Sequence, residues 1–571
     1  MKVEHPNVAV TECSTGRAGT IVLVCCIFVL YSFCRVPIPG VNEPHYLCKA
    51  RAFYDSQWCA GDHFLRSANA HFVFFALFGA AAQILPLTAV AVFGRVLCLT
   101  LFGFAWTALG RRLCLSSFAI LVAACSFCVV AMSGNFSGEW VIGGLEGKVP
   151  AYGVALLSVS FWLDGLQAGS RRRYVMSGVC AGMSVSFHPV VGLWFCIDIA
   201  LSELGLRLCR RTATDGVPGR TNREWLQDVL AFAATAFVVS LPGLIPALAL
   251  LTSENVSAAE IAKANRIQVF WRLAHHLDPV TFPVKAWVHT AVLGSACIVG
   301  YVGLRRWQPA SMRLVVWRPY LHLLSAAAVL ATAGVVVGWH SGPASDIPDW
   351  EWRAAVLKFY PFRLFDALLP VTMALIFGAM ADIVVHMLAD KKDTGNSSSA
   401  ATVNQGLRRA AGTTTGRGAI VCMCVCLVIV LALWQRPTAP GGYSRKYIAD
   451  WKCACDWIRR NTPWDSRVFT PRESFAFKWF AERAEYVCIK DCPQDAVGIL
   501  EWNQRLWNIY DWSSESFQDG RFDDTDLERL RILAGCSYVL TRRLGPFESE
   551  PVFRNDTWRV YAIPDVSSRL K

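Results

Sequence analysis

The chain has 571 residues, of which 54% are hydrophobic and only 17% charged, with a net charge of +12. Soluble domains carry nearer a quarter charged residues, and here the apolar residues form runs long enough to cross a bilayer. From Gln435 onward, 21 Lys/Arg stand against 20 Asp/Glu, so nearly all of the positive charge belongs to the apolar part. This distribution is typical of charge that orients membrane loops, and it argues against a nucleic-acid partner.

Eleven apolar segments predict transmembrane helices. They are 18–34, 87–110, 113–133, 150–166, 174–187, 188–206, 227–251, 286–304, 319–338, 364–388 and 419–434. The fifth and sixth are short, and they predict a helix pair broken near His188-Pro189. The stretch 71–86 is expected to lie at the membrane interface, because a crossing there would move the later arginine pairs to the wrong side.

Loop charges predict the orientation. With the N-terminus in the cytoplasm, the connections on that side carry 21 basic residues. The longer loops on the other side carry 12, leaving out the C-terminal domain, so the positive-inside rule favours this topology. The membrane domain is then 1–434, and its Ser/Thr/Gly-rich stretch 389–418 is expected to be an inside linker. The outside loops are 35–86, 134–149, 252–285 and 339–363.

Residues 435–571 have the composition of a soluble domain, and the topology places them outside. The segment "SRKYIADWKCACDWIRRN" predicts an amphipathic helix, while "SRVFT", "CSYVL" and "WRVYAI" predict strands. We therefore expect a small α/β domain. One disulfide of unassigned pairing is expected among its five cysteines, which are Cys453, Cys455, Cys488, Cys492 and Cys536.

The first outside loop begins with "PIPGVNEPHYL", in which prolines hold Glu43 close to the membrane surface. Glu43 is therefore the first candidate for a catalytic base, and His45 and Asp62 are candidates for substrate binding. The alternative is a solvated loop whose aromatic residues anchor it at the lipid headgroups.

The second outside loop, "GNFSGEWVIGGLEGKVPAYG", carries Glu139, Glu146 and Lys148 among glycines that permit close approach of a ligand. Two acidic loops on one side of the membrane predict a shared site more specifically than either loop alone. Glu146 and Glu139 are therefore the next candidates for the base, and Lys148 is a candidate for substrate binding. The alternative is an ordinary polar turn.

Three further residues are candidates for substrate binding. His188, in "SFHPVVGLW", is either structural or faces a cavity, since polar groups are costly at membrane depth. Lys358 and Arg363, in "KFYPFRLFDALLP", predict an anion site near the headgroups, suited to a lipid phosphate. The alternative is that Arg363 only pairs with Asp366 within its own helix.

This layout resembles the GT-C class of integral-membrane glycosyltransferases, which use polyprenyl- or dolichyl-phosphate-linked sugars. The stretch "NEPHYLCKARAFYDSQW" resembles the acidic part of their first outside loop, and "GLEGK" falls where their second acidic motif is expected. "SGVCAGMSVSFHPVVGLW" resembles their broken helix pair, and "WIRRNTPWDSRVFTP" the start of their C-terminal domain. The chain departs from the class in having Asn42-Glu43 instead of a paired Asp-Glu, and in lacking a Trp-Trp-Asp run.

The resemblance implies sugar transfer from a polyprenyl-phosphate-type lipid to an unknown acceptor at the outer face of a bacterial cell membrane or an endoplasmic reticulum membrane. A carboxylate would take the acceptor's proton, and Arg363 would hold the departing phosphate. Two carboxylate loops are also compatible with a shared divalent metal ion, which nothing requires. The alternatives are a transporter or flippase, although only one broken helix pair is apparent, and a non-catalytic membrane assembly protein.

Overall fold

The computed structural model describes residues 14–40, 42–132, 136–210, 221–251, 256–307, 313–390, 414–437 and 443–564. Most of the predicted linker 389–418 lies outside these ranges. The described chain consists of a large helical part and a smaller C-terminal part that contains a five-stranded sheet.

The helical part contains seventeen described α-helices. They are α1 (Ser14–Arg35), α2 (Glu43–Tyr54), α3 (His63–Arg66), α4 (Phe72–Ile84), α5 (Leu87–Arg112), α6 (Ser117–Met132), α7 (Lys148–Ala168), α8 (Arg171–Phe187), α9 (Pro189–Arg210), α10 (Asn222–Ala249), α11 (Ala258–Arg266), α12 (Ala274–Leu277), α13 (Val284–Trp307), α14 (Arg313–Gly338), α15 (Trp350–Leu357), α16 (Arg363–Asp390) and α17 (Thr414–Trp434).

Nine of the described helices are long and apolar enough to cross a membrane: α1, α5, α7, α9, α10, α13, α14, α16 and α17. The predicted spans 113–133 and 174–187 correspond to α6, with 16 residues, and α8, with 17. The 13 residues of α4 extend only about 20 Å at 1.5 Å per residue, which is less than the ~30 Å of bilayer hydrocarbon. The expectation of a polytopic helical membrane protein is thereby confirmed.

The break between α8 and α9 follows from Pro189, which lacks a backbone N–H and disfavours a helical conformation in the residue before it. His188 is accordingly extended, with φ −150°. The two helices then pack closely. A Cβ atom at Gly192 would lie 2.1 Å from the backbone nitrogen of Val185, so this approach requires glycine. The break leaves the His188 side chain at the end of the bundle where α7 and α16 begin, called the site end below.

At the opposite end of the bundle, two arginine side chains join neighbouring helices by binding one aspartate. Arg112 at the end of α5 and Arg173 at the start of α8 lie 2.7 and 2.9 Å from the two carboxylate oxygens of Asp164. Charged side chains therefore join three helix ends where the sequence predicts the cytoplasmic loops.

The C-terminal part contains α18 (Arg445–Asn461), α19 (Phe477–Ala481), α20 (Ala496–Ser516) and α21 (Asp524–Ala534). Its strands are β1 (Arg467–Phe469), β2 (Ala484–Glu485), β3 (Tyr538–Thr541), β4 (Phe553–Arg554) and β5 (Arg559–Ala562). The sheet order is β2-β1-β3-β5-β4. Strand β1 runs parallel to both of its neighbours, and β5 is antiparallel to both of its own.

The apolar face of α18 packs on this sheet through Trp451, Cys455 and Ile458, as its periodicity predicts. The three predicted strands appear as β1, β3 and β5. The expectation of a disulfide is wrong for the described residues, because all five cysteines of this part are free thiols.

Candidate active site

Four of the predicted residues meet at the site end. The Lys148 ammonium lies 3.4 Å from Glu139 and 3.3 Å from Glu146, and so it bridges the two carboxylates of the second loop. Arg363, the first residue of α16, lies 2.9 Å from the other oxygen of Glu139. Both glutamates and Lys148 are buried. Two anions and two cations thus form one compact charged cluster, called the carboxylate centre below.

Two histidines border the carboxylate centre. Nε2 of His188 is 3.4 Å from Nη1 of Arg363, and its ring lies 4.5 Å from the ring of His71. Burial, together with neighbouring basic groups, lowers the pKa of His71 to about 3, so its imidazole is neutral near pH 7. Nδ1 of His71 is buried without a hydrogen-bond partner among the described residues.

Asp366 positions the second loop. Its carboxylate accepts hydrogen bonds from the backbone N–H groups of Phe136, Ser137 and Glu139, and from the Ser137 hydroxyl at 2.6 Å. The alternative interpretation, in which Arg363 pairs with Asp366 in the helix, is therefore corrected. Arg363 binds Glu139 instead, and Asp366 holds the loop that presents Glu139.

The hydrogen bonds of Glu43 argue against the prediction that its carboxylate is the catalytic base. Glu43 is 0% exposed, and Arg95 of α5 binds both of its oxygens at 2.6 and 2.7 Å. The backbone N–H groups of Gly40 and Leu145 donate to the same carboxylate at 2.6 and 2.8 Å. Four donors saturate it, so Glu43 joins the first and second loops and has no oxygen left to receive a substrate proton.

Asn42, rather than Glu43, reaches the carboxylate centre. Its Nδ2 donates to Oε1 of Glu146 at 3.0 Å, and its Oδ1 accepts from Lys490 of the C-terminal part. The first outside loop therefore contributes an amide to the centre, at the position where the sequence departs from a paired Asp-Glu.

His45 and Asp62 belong to a neighbouring cluster between the first loop and the C-terminal part. Nδ1 of His45 lies 2.9 Å from Asp491, and Asp62 lies 3.3 Å from Lys478. Lys478 also contacts Glu485 and Asp491, each at 2.6 Å. Burial lowers the pKa of Lys478 and these three carboxylates raise it, with a net rise well above its usual value. The ammonium therefore stays charged and ties the two parts together.

A cavity of about 260 Å³ lies beside this cluster. Its wall includes His45 and Pro44 of α2, Arg272 from the third outside loop, and Lys490 and Trp479 of the C-terminal part. Since Lys490 also contacts Asn42, the cavity adjoins the carboxylate centre.

Lys358 is not part of the carboxylate centre. Its ammonium donates to Oδ1 of Asn265 at 3.1 Å, in a contact between α11 and the residue that follows α15. Of the two predicted cations in this loop, the structure therefore brings only Arg363 to the site.

The residues fit a divalent metal ion poorly. In the carboxylate centre, Lys148 lies between Glu139 and Glu146, where an ion shared by the two would bind. Glu485, Cys488 and Asp491 have ligand atoms within 4.8 Å of one another, as a metal site needs. Lys478, at 2.6 Å from both carboxylates of that group, already supplies the cation.

The sequence reasoning missed His71, Lys478 and Lys490 as site residues. His71 carries a weak signal, since it is a lone polar residue directly before the apolar run of α4. The two lysines carry none, because lysines are common in soluble domains and their partners in the first outside loop, Asn42 and Asp62, lie more than 400 residues away in the chain.

Comparisons with known proteins identify the fold of this chain. A family model described as a domain of unknown function (DUF6798) matches residues 449–509. A search of curated protein sequences gives no significant match. The solved structure of ArnT from Cupriavidus metallidurans bound to undecaprenyl phosphate overlaps 97% of this chain and 99% of its own, at 12% identity and a TM-score of 0.52. Its apo structure also gives a TM-score of 0.52 at 12% identity, with coverages of 96% and 98%.

A third structure is the archaeal oligosaccharyltransferase AglB from Archaeoglobus fulgidus, with an inhibitory peptide and a dolichol-phosphate. It matches 92% of this chain and 69% of its own at 14% identity, with a TM-score of 0.43. The overlap with ArnT extends over the membrane helices and the C-terminal sheet. The chain is therefore a multi-pass membrane protein with a GT-C fold and a small C-terminal α/β part.

Proposed function

We propose that this protein is a membrane glycosyltransferase that moves a sugar from a polyprenyl-phosphate-type lipid to an acceptor at the outer membrane face. The observation that carries the proposal is the carboxylate centre, in which buried glutamates and fixed cations meet where the first outside loop, the second outside loop and α16 converge. Sugar transfer from a lipid phosphate needs a proton acceptor and a cationic group for the leaving phosphate, and this centre contains both.

Glu146 is the proposed proton acceptor. Its carboxylate has one cationic partner, Lys148, and one neutral donor, Asn42, whereas Glu139 lies between the two cations Lys148 and Arg363. Glu139 is accordingly proposed to hold Lys148 and Arg363 in position.

The reaction is a substitution at the anomeric carbon of the sugar. The acceptor's O–H or N–H group attacks that carbon, and its proton passes to Glu146. The bond between the carbon and the lipid phosphate breaks, and its electron pair stays on the phosphate oxygen. Arg363, with His188 and His71 beside it, is placed to stabilise the negative charge that grows there.

The likeness to ArnT supports the choice of donor. The ArnT structure contains undecaprenyl phosphate, a lipid phosphate of the proposed kind, within a fold that matches nearly the whole chain. The orientation proposed from loop charges puts the carboxylate centre on the outer side, and the membrane would be a bacterial cell membrane or an endoplasmic reticulum membrane.

The proposal is tested by incubating the purified full-length protein in nanodiscs with polyprenyl-phosphate-linked hexoses and pentoses and a panel of lipid and peptide acceptors. Release of free polyprenyl phosphate together with a glycosylated acceptor is the expected result. If intact donor lipid instead moves between leaflets of a reconstituted vesicle without loss of its sugar, the protein is a flippase and the transferase proposal is wrong.

A further inference from the structure

We propose that one corner of the C-terminal sheet is a binding site for the phosphate group of an anionic membrane lipid. This corner, called the basic corner below, consists of Arg542, Arg543, Arg554 and Arg559, whose side chains are all exposed. These arginines have no part in the proposed sugar transfer, so the inference goes beyond that function and does not depend on it.

A recess of about 390 Å³ opens in the basic corner. Arg542, directly after β3, and Arg559, at the start of β5, line it together with Tyr447 of α18. The guanidinium of Arg542 lies 5.3 Å from the centre of the Tyr447 ring, and that ring stacks on Tyr443 at 4.3 Å. A cation is attracted to an aromatic face, so the stacked pair holds Arg542 at the recess.

The strand register brings like charges together in the basic corner. Arg554 of β4 lies directly opposite Arg559 of β5 in an antiparallel pair. Residues paired in this way project to the same face of the sheet with Cβ atoms only about 5 Å apart, where like charges destabilise the pairing. Glu550 lies in the same neighbourhood, around Tyr561, but within the described chain it forms no ion pair with either arginine. A bound anion would relieve this repulsion.

The four arginines of the basic corner form no ion pair with a carboxylate among the described residues. Other exposed arginines of the C-terminal part do form such pairs: Arg459 and Arg460 with Asp456, Arg521 with Glu548, and Arg529 with Asp526. Of the described residues that line the recess, Asp556 is the acidic one, and Lys446 neutralises it at 2.6 Å. The arginines therefore leave the recess with a net positive charge.

The path of the chain brings the basic corner close to the membrane. The last spanning helix, α17, leads into α18 through ten residues, 435–444, which extend over at most about 35 Å. Tyr443, which stacks on Tyr447, also lines the cavity beside Pro44 and His45 of α2. Because α2 follows the spanning helix α1 after a short connection, the recess lies one stacked ring pair away from the first outside loop. Tyrosines are enriched at this headgroup level of membrane proteins.

An anionic lipid headgroup is the ligand that fits these features best. A guanidinium group presents a planar fork of N–H donors that matches the oxygens of a phosphate, and it stays charged throughout the physiological pH range. A membrane that contains anionic lipids attracts basic groups held near its surface. Since the arginines are already exposed around an open recess, a headgroup can bind there without a change in the fold.

The test uses phenylglyoxal, an uncharged reagent that modifies accessible guanidinium groups. The full-length protein is labelled in phosphatidylcholine nanodiscs with and without phosphatidylglycerol, and peptide mass spectrometry quantifies the modification of each arginine. We expect phosphatidylglycerol to slow the labelling of Arg542 and Arg559 several-fold, because a bound phosphate covers their N–H groups. The exposed residues Arg459 and Arg460 are internal controls and should be labelled at the same rate in both nanodiscs.

Unchanged labelling of Arg542 and Arg559 would overturn the inference, and so would equal slowing at Arg459 and Arg460, which would show a general effect of the charged membrane. Inorganic phosphate added to the phosphatidylcholine nanodiscs distinguishes the source of the anion. If it protects Arg542 and Arg559 as well as phosphatidylglycerol does, the recess binds soluble anions and the lipid is not its ligand. Labelling that inorganic phosphate leaves unchanged supports the lipid.

A matched pair of double variants gives a second measurement. Arg542→Gln/Arg559→Gln removes two exposed charges from the recess, and Arg459→Gln/Arg460→Gln removes two exposed charges elsewhere in the same part. Native mass spectrometry of the proteins purified from phosphatidylglycerol-containing nanodiscs counts the molecules of this lipid that remain bound. The first variant should retain fewer of them than the wild type, and the second should retain as many. Equal retention by the two variants contradicts the inference.

Discussion

At the scale of single residues, the pairing of Glu43 with Arg95 decides how the first outside loop works. Both side chains are buried. Each oxygen of the Glu43 carboxylate accepts one hydrogen bond from Arg95 and one from a backbone N–H group. A buried ion pair contributes little net stability, but the loss of one partner leaves the other as an uncompensated charge. The role of Glu43 is therefore to hold the two outside loops together, and its substitution should affect folding before it affects chemistry.

We predict that Glu43→Gln destabilises the protein by about 3–5 kcal/mol, because the Arg95 guanidinium is left buried without a counter-charge. Unfolding in detergent, followed by tryptophan fluorescence, measures the change. The double variant Glu43→Gln/Arg95→Met removes the stranded charge and should regain part of the loss. A Glu43→Gln protein with wild-type stability and a large drop in turnover would instead return Glu43 to the role of base.

The buried histidine His71 gives a pH dependence of stability. Its pKa is about 3 in the folded protein and near 6.5 when unfolded, so between these values the unfolded chain binds a proton that the folded protein does not. Stability contributed by the neutral imidazole is complete above pH 6.5 and falls as the pH drops toward 3. We predict that His71→Gln, which removes the titrating imidazole, reduces the loss of unfolding free energy between pH 6.5 and pH 5 by about 2 kcal/mol.

The measurement is denaturant unfolding of both proteins at the two pH values. Carboxylates also titrate in this window, but they do so in both proteins, so the difference between the two losses reports His71. Equal losses would show that the folded protein binds a proton at His71 as readily as the unfolded chain does.

At the scale of elements, the sequence predicts best what depends on local pattern. The apolar runs predict the spanning helices, Pro189 predicts the break before α9, and the periodicity around Trp451 predicts α18 and its buried face. Each of these features is encoded within a stretch of about 20 residues, so no distant contact is needed to recognise it.

The sequence does not predict which charges meet. Glu43 is separated by 52 residues from Arg95, and Asn42 by 448 residues from Lys490. No periodicity relates such positions, and a charged residue in a loop looks the same whether it is free or paired. The sequence therefore predicts that prolines hold Glu43 close to the end of α1, but it does not predict the saturation of the Glu43 carboxylate by four hydrogen bonds.

The junction between α2, α3 and the C-terminal part depends on Lys478. Its ammonium compensates three carboxylates, the buried ones of Asp62 and Glu485 and the half-buried one of Asp491. We predict that Lys478→Met loosens this junction, at a cost of at least 3–5 kcal/mol, because several buried negative charges lose their counter-ion together. Hydrogen–deuterium exchange of the backbone around α3 and β2 should rise markedly.

The matched control for that prediction is Lys446→Met. Lys446 pairs with Asp556 at 2.6 Å, but both side chains are exposed, so solvent screens the pair and it adds little to stability. Exchange around α3 and β2 should stay at the wild-type level in this variant. If Lys478→Met also leaves exchange unchanged, the two parts are held together by contacts other than this ion cluster.

At the scale of the whole molecule, the fold brings three regions of the sequence to the site end. The membrane helices supply Lys148 and Arg363, the outside loops supply Asn42, Glu139 and Glu146, and the C-terminal part supplies Lys490. In the proposed reaction the lipid-linked donor has its chain in the bilayer and its sugar outside it, and a site at such a junction would contact both. This arrangement also explains the polar stretch after α1, which joins the membrane helices to the C-terminal part.

We propose that Glu146 accepts the acceptor's proton during sugar transfer from a lipid phosphate. The most direct measurement is the single-turnover rate of donor-lipid consumption by wild type, Glu146→Gln and the exposed-acid control Glu515→Gln, with donor in excess of its dissociation constant. General-base catalysis contributes about 10²–10⁴-fold, so Glu146→Gln should lose activity by that factor while it still folds and binds the donor, and Glu515→Gln should match the wild type. A Glu146→Gln rate within a few-fold of the wild type would contradict the account.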